Sequence, residues 1–157
     1  MARAGPRMNA QDMATTLWSA ATLRRMPGAE AWAALETAVV RVGPGMNAQG
    51  VASTLWSVAM LGLMPGAEAR AALEAAAARV AKRMNAQDVA TTLWSVLTLA
   101  ATRGIPLPTC YPAMLQLARG FDVGCLRPVE TQMMFHAYLI HTELVDGDVL
   151  SGVAFPP

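Results

Sequence analysis

Hydrophobic and polar positions follow a helical period in three nearly identical stretches of the chain. The stretches read MNAQDMATTLWSAATL from Met8, MNAQGVASTLWSVAML from Met46 and MNAQDVATTLWSVLTL from Met84, so their starts lie 38 residues apart. At 100° per residue, the apolar positions of each stretch gather on one face and small polar positions gather on the opposite face. Each stretch is therefore predicted to form an amphipathic helix that begins at its Asn and ends near Leu23, Leu61 or Leu99.

A second helix is predicted to follow the first in each 38-residue unit. In the first two units a Met-Pro-Gly turn separates the two helices, and in the first unit the alanine-rich stretch AEAWAALETAVVRV ends before Gly43. The Asn that opens each first helix is a favourable N-cap, but Gly50 stands where the other two units carry Asp, which predicts a weaker start there. Because neither helix can bury its apolar face alone, neighbouring units must stack. The predicted fold class is all-α, an α-solenoid of stacked two-helix hairpins with a 38-residue repeat.

The repeat divides the whole chain into units. Residues 1–7 align with the end of a repeat and are predicted to close a preceding, truncated one. Residues 8–45, 46–83 and 84–120 form three repeats, and the third has a longer, proline-rich turn before a second helix over Tyr111–Arg119. Residues 146–157 are predicted to be a disordered tail. Residues 121–145 are predicted to be a degenerate fourth helical unit whose apolar face carries Val129, Met133, His136 or Ala137, and Ile140.

The polar face of the first helices is small, uncharged and presented once per repeat. Stacking would align these faces into one surface, which suits single-stranded RNA because helical-repeat proteins read one base per repeat with two or three side chains. The alternative is an ordinary solvated face of an amphipathic helix. The predicted RNA-facing residues, called here the polar strip, are Gln11, Thr15, Ser19, Gln49, Ser53, Ser57, Gln87, Thr91 and Ser95.

Two further sets of side chains recur with the repeat. A Leu-Trp pair in each first helix is predicted to pack between successive repeats, with base stacking on the indoles as the alternative. Basic residues at helix ends are predicted to contact phosphates, with favourable placement at helix C-termini as the alternative. The packing pairs are Leu17 and Trp18, Leu55 and Trp56, and Leu93 and Trp94, and the predicted phosphate contacts are Arg24, Arg25, Lys82 and Arg83.

Composition narrows the classes of function. The chain has 12 basic and 11 acidic residues, so its net charge of +1 creates no strong global attraction for nucleic acid. No apolar run reaches the length of a membrane span, and the N-terminus lacks the apolar stretch of a signal peptide. Two cysteines and two histidines match no zinc-binding spacing. With no nucleophile beside a base and no phosphate-binding loop, we expect neither an enzyme nor a metal or other cofactor.

The 38-residue period and the motif Asn-Ala-Gln…Thr-Leu-Trp-Ser, which all three copies contain, resemble the octotricopeptide-repeat family of green-algal organelle proteins. The chain looks particularly similar to the repeats of algal chloroplast translation factors, and it is similar to the related FAST-kinase-like proteins. The resemblance covers Met8 to about Leu99. It implies an α-solenoid in a chloroplast or mitochondrion that binds RNA and supports its stability, processing or translation. Such proteins often end in a RAP domain, and the stretch RPVETQMMFHAYLIHTEL resembles the segment that precedes one.

The residues and the resemblance together predict a helical-repeat protein fragment that binds single-stranded RNA. The alternative is a protein–protein interaction scaffold that does not bind nucleic acid, which the nearly neutral charge favours. We also expect self-association through the uncapped ends of a short array, because three repeats are close to the minimum that a stacked fold needs.

Overall fold

The computed structural model describes residues 7–145, and all regular secondary structure in this part of the chain is helical. No β-strand occurs between residues 7 and 145, which confirms the predicted all-α class. Short 3-10 turns connect some of the helices, at Gly43–Gly45, Ala81–Arg83 and Val123–Cys125. The seven α-helices are α1 (Ala10–Thr22), α2 (Ala29–Val42), α3 (Ala48–Leu61), α4 (Ala67–Val80), α5 (Ala86–Arg103), α6 (Tyr111–Arg119) and α7 (Pro128–Val145).

The odd-numbered helices pack against one another in series. The most extensive contacts in the protein join α1 to α3, α3 to α5 and α5 to α7. On the other side, α2 packs against α4, and α6 packs against α5 and the 3-10 turn that follows α4. The main core contains Leu17, Leu55 and Leu93, and all three are buried. Each first helix of a predicted unit therefore lies beside the first helix of the next.

Asparagine caps explain why α1, α3 and α5 begin where they do. In α1 and α5 the Asn side chain accepts from the backbone N–H three residues later, and the Asp at that position accepts from the backbone N–H of the Asn. In α3 the Asn47 side chain still accepts from the Gly50 N–H at 2.7 Å. Gly50 has no side chain to return the bond, so the cap at this helix keeps one of its two hydrogen bonds.

Two side-chain contacts recur at the 38-residue interval and join separate elements. Within a unit, Arg41 donates to the Met8 carbonyl at 2.5 Å, and Arg79 donates to the Met46 carbonyl at 2.6 Å. Between units, one glutamate of α2 and one of α4 accept from a backbone N–H at or near the start of the next second helix. Glu36 accepts from the Gly66 N–H at 2.5 Å, and Glu74 accepts from the Thr109 N–H at 2.8 Å.

Two sequence predictions about the C-terminal helices need correction. Helix α5 continues to Arg103 rather than ending near Leu99, because helix-forming residues follow until Gly104 adopts a positive φ of 63°. In α7, Val129 is exposed and Met133 and Ile140 are only half-buried. Of the two alternatives at the third position, Ala137 is buried as predicted and His136 is exposed. The other buried residues of α7 are Glu130, Met134 and His141.

The register of α7 explains its buried face. Arg127 donates its backbone N–H to Glu130, as Asn85 does to Asp88 in α5, so Glu130 takes the place of Asp88. Along one side of α5, buried residues occur at steps of three or four, starting from Asp88. Along α7, the buried residues occur at the same steps, starting from Glu130. The predicted tail over 146–157, and all but Arg7 of the predicted N-terminal remnant, lie outside the described residues.

Candidate nucleic-acid interface

A groove of about 390 Å³ lies between the N-terminal halves of α1 and α3. Its lining carries carboxamides, hydroxyls and one indole, and none of its lining residues is charged. We call it the α1–α3 groove. The side chains that matter below are Gln11, Thr15 and Trp18 from α1 and Gln49 and Ser53 from α3, with Gly50 at the α3 edge.

The structure brings part of the polar strip together at this end of the helices. The three glutamines Gln11, Gln49 and Gln87 are exposed in the first turns of α1, α3 and α5. Thr15 is exposed, and Ser19, Ser53 and Thr91 are half-buried. Gln11, Thr15, Gln49 and Ser53 meet in the α1–α3 groove. The Thr91 hydroxyl instead points to the sulfur of Met133 in α7, 4.0 Å away.

Ser57 and Ser95, two members of the predicted polar strip, do not reach the protein surface. Both are fully buried at 0% exposure, and their hydroxyls donate to the carbonyls of Ser53 and Thr91, each at 2.6 Å. Each step of four residues along an α-helix turns by about 40°. The third polar position of the strip is therefore rotated by about 80° from the glutamine, and in α3 and α5 it is buried. The prediction that these two serines face RNA is wrong for this reason.

The three tryptophans that recur with the repeat, Trp18, Trp56 and Trp94, do not share one environment. Trp56 and Trp94 are half-buried and pack against a small core cluster that includes Val58 and Leu99. Trp18 is 48% exposed and lines the α1–α3 groove. The predicted packing role therefore does not describe Trp18, whose indole is open to solvent over about half of its surface.

The predicted phosphate contacts lie at two opposite ends of the helices. Arg24 and Arg25 follow the C-terminus of α1, whereas Lys82 and Arg83 lie in the turn that precedes α5. All four are exposed. Because a 13-residue helix is about 20 Å long, the first pair lies roughly that distance from the glutamine end. Of these four residues, Lys82 and Arg83 lie at the end of the helices that carries Gln11, Gln49 and Gln87.

The interface between α3 and α5 differs from the α1–α3 groove in charge. Asp88 stands in the first turn of α5 and is 8% exposed. Burial raises the pKa of the Asp88 carboxyl above its ordinary value, and the hydrogen bond with the Asn85 backbone opposes this shift. The equivalent position in α3 is Gly50. The α1–α3 groove therefore lacks the acidic side chain that the next interface contains.

Sequence reasoning missed three features of this region. It assigned Trp18 to packing, treated Gly50 only as a weakened cap, and did not consider Arg7, which precedes α1 at the position that Arg83 takes before α5. The signal for the first two was present in the aligned repeats, since Gly50 replaces an Asp beside the groove. Among residues 7–145 no group of histidine, cysteine or acidic side chains could hold a metal ion. No helix in that range is long and apolar enough to cross a membrane.

Residues 41–102 match the family model described as Tbc2 translation factor, N-terminal domain. This match covers 62 of the 157 residues, from the end of α2 through most of α5. No curated protein and no solved structure matches the chain. The translation-factor part of the resemblance is thus supported over the second repeat and the first helix of the third, while the octotricopeptide and RAP assignments stay predictions. This stretch of the chain is similar to the N-terminal domain of a translation factor.

Proposed function

We propose that this protein is a segment of a helical-repeat solenoid that binds single-stranded RNA and acts in translation. The serial packing of α1, α3, α5 and α7 supports the solenoid, because it places equivalent residues of successive units side by side. The match to a translation-factor domain supports the process. In line with the family resemblance, the RNA would belong to a chloroplast or mitochondrion, where roles in RNA stability and processing are the related options.

The α1–α3 groove is the observation that carries the proposal. It joins carboxamides and hydroxyls from two successive units in one uncharged site. Unpaired bases expose donors and acceptors that such groups can pair with. Lys82 and Arg83 lie at the same end of the helices and would contact the phosphates.

A binding titration with matched variants tests the proposal. Fluorescence anisotropy would measure the affinity for a pool of random-sequence single-stranded RNA and for oligonucleotides selected from it. Replacing Gln49 and Ser53 by Ala should weaken binding of the selected RNA about tenfold or more, because two hydrogen bonds are lost. The control is Ser57→Ala, which removes the same hydroxyl from a buried position and should leave the affinity unchanged.

The salt dependence separates base reading from simple charge attraction. Binding through phosphates alone weakens steeply with salt and shows no preference among sequences. Equal affinity for all sequences, unaffected by the Gln49 and Ser53 replacements, would contradict the proposal.

A protein-interaction scaffold is the second candidate, and the opposite end of the first helices favours it. Leu23, Met26, Met60 and Met64 are exposed around the two Met-Pro-Gly turns. Flexible apolar side chains of this kind suit protein contacts. Recovery of a protein partner that the Met26→Gln and Met64→Gln variants no longer bind, together with no RNA binding, would favour this function. We also propose that exposed apolar residues at the two ends of the helical row promote self-association.

A further inference from the structure

Trp18 offers a flat aromatic surface inside a site that is otherwise polar. Its indole is 48% exposed, whereas the equivalent Trp56 and Trp94 are half-buried. Within the α1–α3 groove the indole lies on the same side of α1 as Gln11, since seven residues separate them, about two helical turns. Every nucleobase can stack on such a surface.

Gly50 leaves the opposite edge of the groove open. The aligned positions carry Asp12 and Asp88, which complete the caps of their helices. At α3 the Asn47 side chain keeps the cap by accepting from the Gly50 N–H, so no carboxylate is needed. A side chain built on Gly50 would lie 3.1 Å from the Asn47 side-chain oxygen, which would have to shift by a few tenths of an ångström. The same cap holds an Asp in α1 and α5. The absence of a side chain at Gly50 leaves space and removes a negative charge beside Trp18.

The walls of the groove hold hydrogen-bonding groups that the fold does not use. The side-chain amides of Gln11 and Gln49 form no hydrogen bond with residues 7–145, and neither do the hydroxyls of Thr15 and Ser53. Each amide supplies both donors and an acceptor, so the pair can bind the edge of a base from both walls. None of these groups is charged, which suits the edge of a base rather than a phosphate.

We propose that the α1–α3 groove binds one unpaired nucleobase, stacked on Trp18 and held at its edge by Gln11 and Gln49. This subsite rests on the proposed RNA binding and adds to it a specific position. The base enters because Gly50 replaces the Asp of the other units. The neighbouring α3–α5 interface carries the buried Asp88 instead and is not an equivalent site.

Substitutions at Trp18 and Gly50 test the subsite. Trp18→Ala should weaken binding of single-stranded RNA by about tenfold or more, because stacking on an aromatic side chain is lost, and Trp18→Phe should retain most of the affinity. Gly50→Asp should weaken binding by about tenfold through its carboxylate beside the RNA, and Gly50→Asn should weaken it less. The control is Gly28→Asp, which adds the same charge at the opposite end of the helices, where a side chain meets no atom within 4 Å.

A second measurement locates the base directly. The four tryptophans give four indole N–H signals in a ¹⁵N–¹H spectrum, and the signal missing from Trp18→Phe identifies Trp18. Adding adenosine 5′-monophosphate or a short single-stranded RNA should shift the Trp18 signal and leave those of Trp56 and Trp94 in place. A cooperative thermal unfolding transition in each variant would show that the variant is folded.

The outcomes separate the subsite from the proposed function. RNA binding that is lost in the Gln49 and Ser53 double variant, but is unchanged in Trp18→Ala and Gly50→Asp, would overturn the subsite and leave RNA binding in place. A wild-type protein that binds no RNA, and whose Trp18 signal does not respond to nucleotide, would overturn both.

Discussion

The exposure of a residue in this protein depends on which helix comes before it. Ser57 and Ser95 are buried, while the equivalent Ser19 of α1 is half-buried although its neighbours Leu17 and Trp18 repeat in the other copies. Leu23 shows the same effect more strongly, because it is 68% exposed and its counterparts Leu61 and Leu99 are buried. These positions face the preceding first helix, and no such helix precedes α1 among the described residues.

Thr54 is fully buried in α3, and its hydroxyl has no hydrogen-bond partner among residues 7–145. Leaving a polar group buried and unpaired is costly, so Thr54→Val should raise the free energy of unfolding by about 1 kcal/mol. Urea denaturation would measure the change.

Thr16 is the matched control for this substitution. It occupies the equivalent position in α1, and its hydroxyl donates to the Asp12 carbonyl at 2.7 Å. Thr16→Val should therefore leave stability within about 0.5 kcal/mol of the wild type, or lower it. A loss of stability in Thr54→Val larger than in Thr16→Val would show that the Thr54 hydroxyl has a partner in solution.

At the level of elements, local chemistry made the starts of the helices predictable. The Asn caps marked the starts of α1, α3 and α5, and the proline-rich turn led to α6 over the predicted range. Which face of each helix is buried was harder to predict, because burial depends on the neighbouring helices, and the sequence pattern of one helix does not show where its neighbours lie. Ser57 is buried in α3, which packs against α1, and Glu130 is buried in α7, which packs against α5. Trp18 was misjudged for the same reason, since its exposure depends on the space beside it.

The glutamate contacts between second helices are expected to hold successive units in register. Glu36 accepts from the Gly66 N–H, which lies at the N-cap of α4 and has no capping side chain. Glu36→Ala should lower the free energy of unfolding by about 1 kcal/mol, and Glu36→Gln by less because its amide oxygen can still accept. The Gly66 amide should also exchange its hydrogen faster in Glu36→Ala, while the Gly28 amide serves as the unaffected reference. Unchanged exchange at Gly66 would contradict the contact.

The start of α7 should make stability depend on pH in the acid range. Glu130 is buried, and hydrogen bonds from the Arg127 side chain hold the pKa of its carboxyl below the ordinary value. A depressed pKa in the folded state stabilises the protein above the unfolded pKa, and this contribution is lost as pH falls through the folded value. Urea denaturation between about pH 6 and pH 3 should therefore show a steeper loss in the wild type than in Glu130→Gln.

Asp88 acts in the opposite direction and makes the paired comparison necessary. Burial raises the pKa of its carboxyl, so its contribution to stability falls as pH rises through that range. Subtracting the Glu130→Gln profile from the wild-type profile cancels the Asp88 effect, because both proteins contain it. A difference that does not change with pH would show that Glu130 is not held by Arg127 in solution.

At the scale of the whole molecule, the row of first helices is open at both ends within the described residues. Aligning the cap of α7 with that of α5 places Phe135 and Leu139 at the positions of Leu93 and Leu97. The α5 residues are buried by their second helix and neighbours, whereas Phe135 and Leu139 are 48% and 44% exposed. Helix α7 thus has the register of a first helix, and no second helix follows it within residues 7–145.

The exposed apolar residues at the two ends of the row predict that the protein associates with itself as its concentration rises. Leu23 at one end of the row and Leu139 at the other would bury apolar surface when two copies meet end to end, and each buried Å² contributes roughly 25 cal/mol. Sedimentation equilibrium should show a mass that increases with concentration. Replacing Leu23 and Leu139 by Gln should weaken the association about tenfold or more, because the contact loses two apolar side chains. Met64→Gln, at an exposed turn away from both faces, should have no effect, and a protein that stays monomeric at high concentration would show that the ends do not dock.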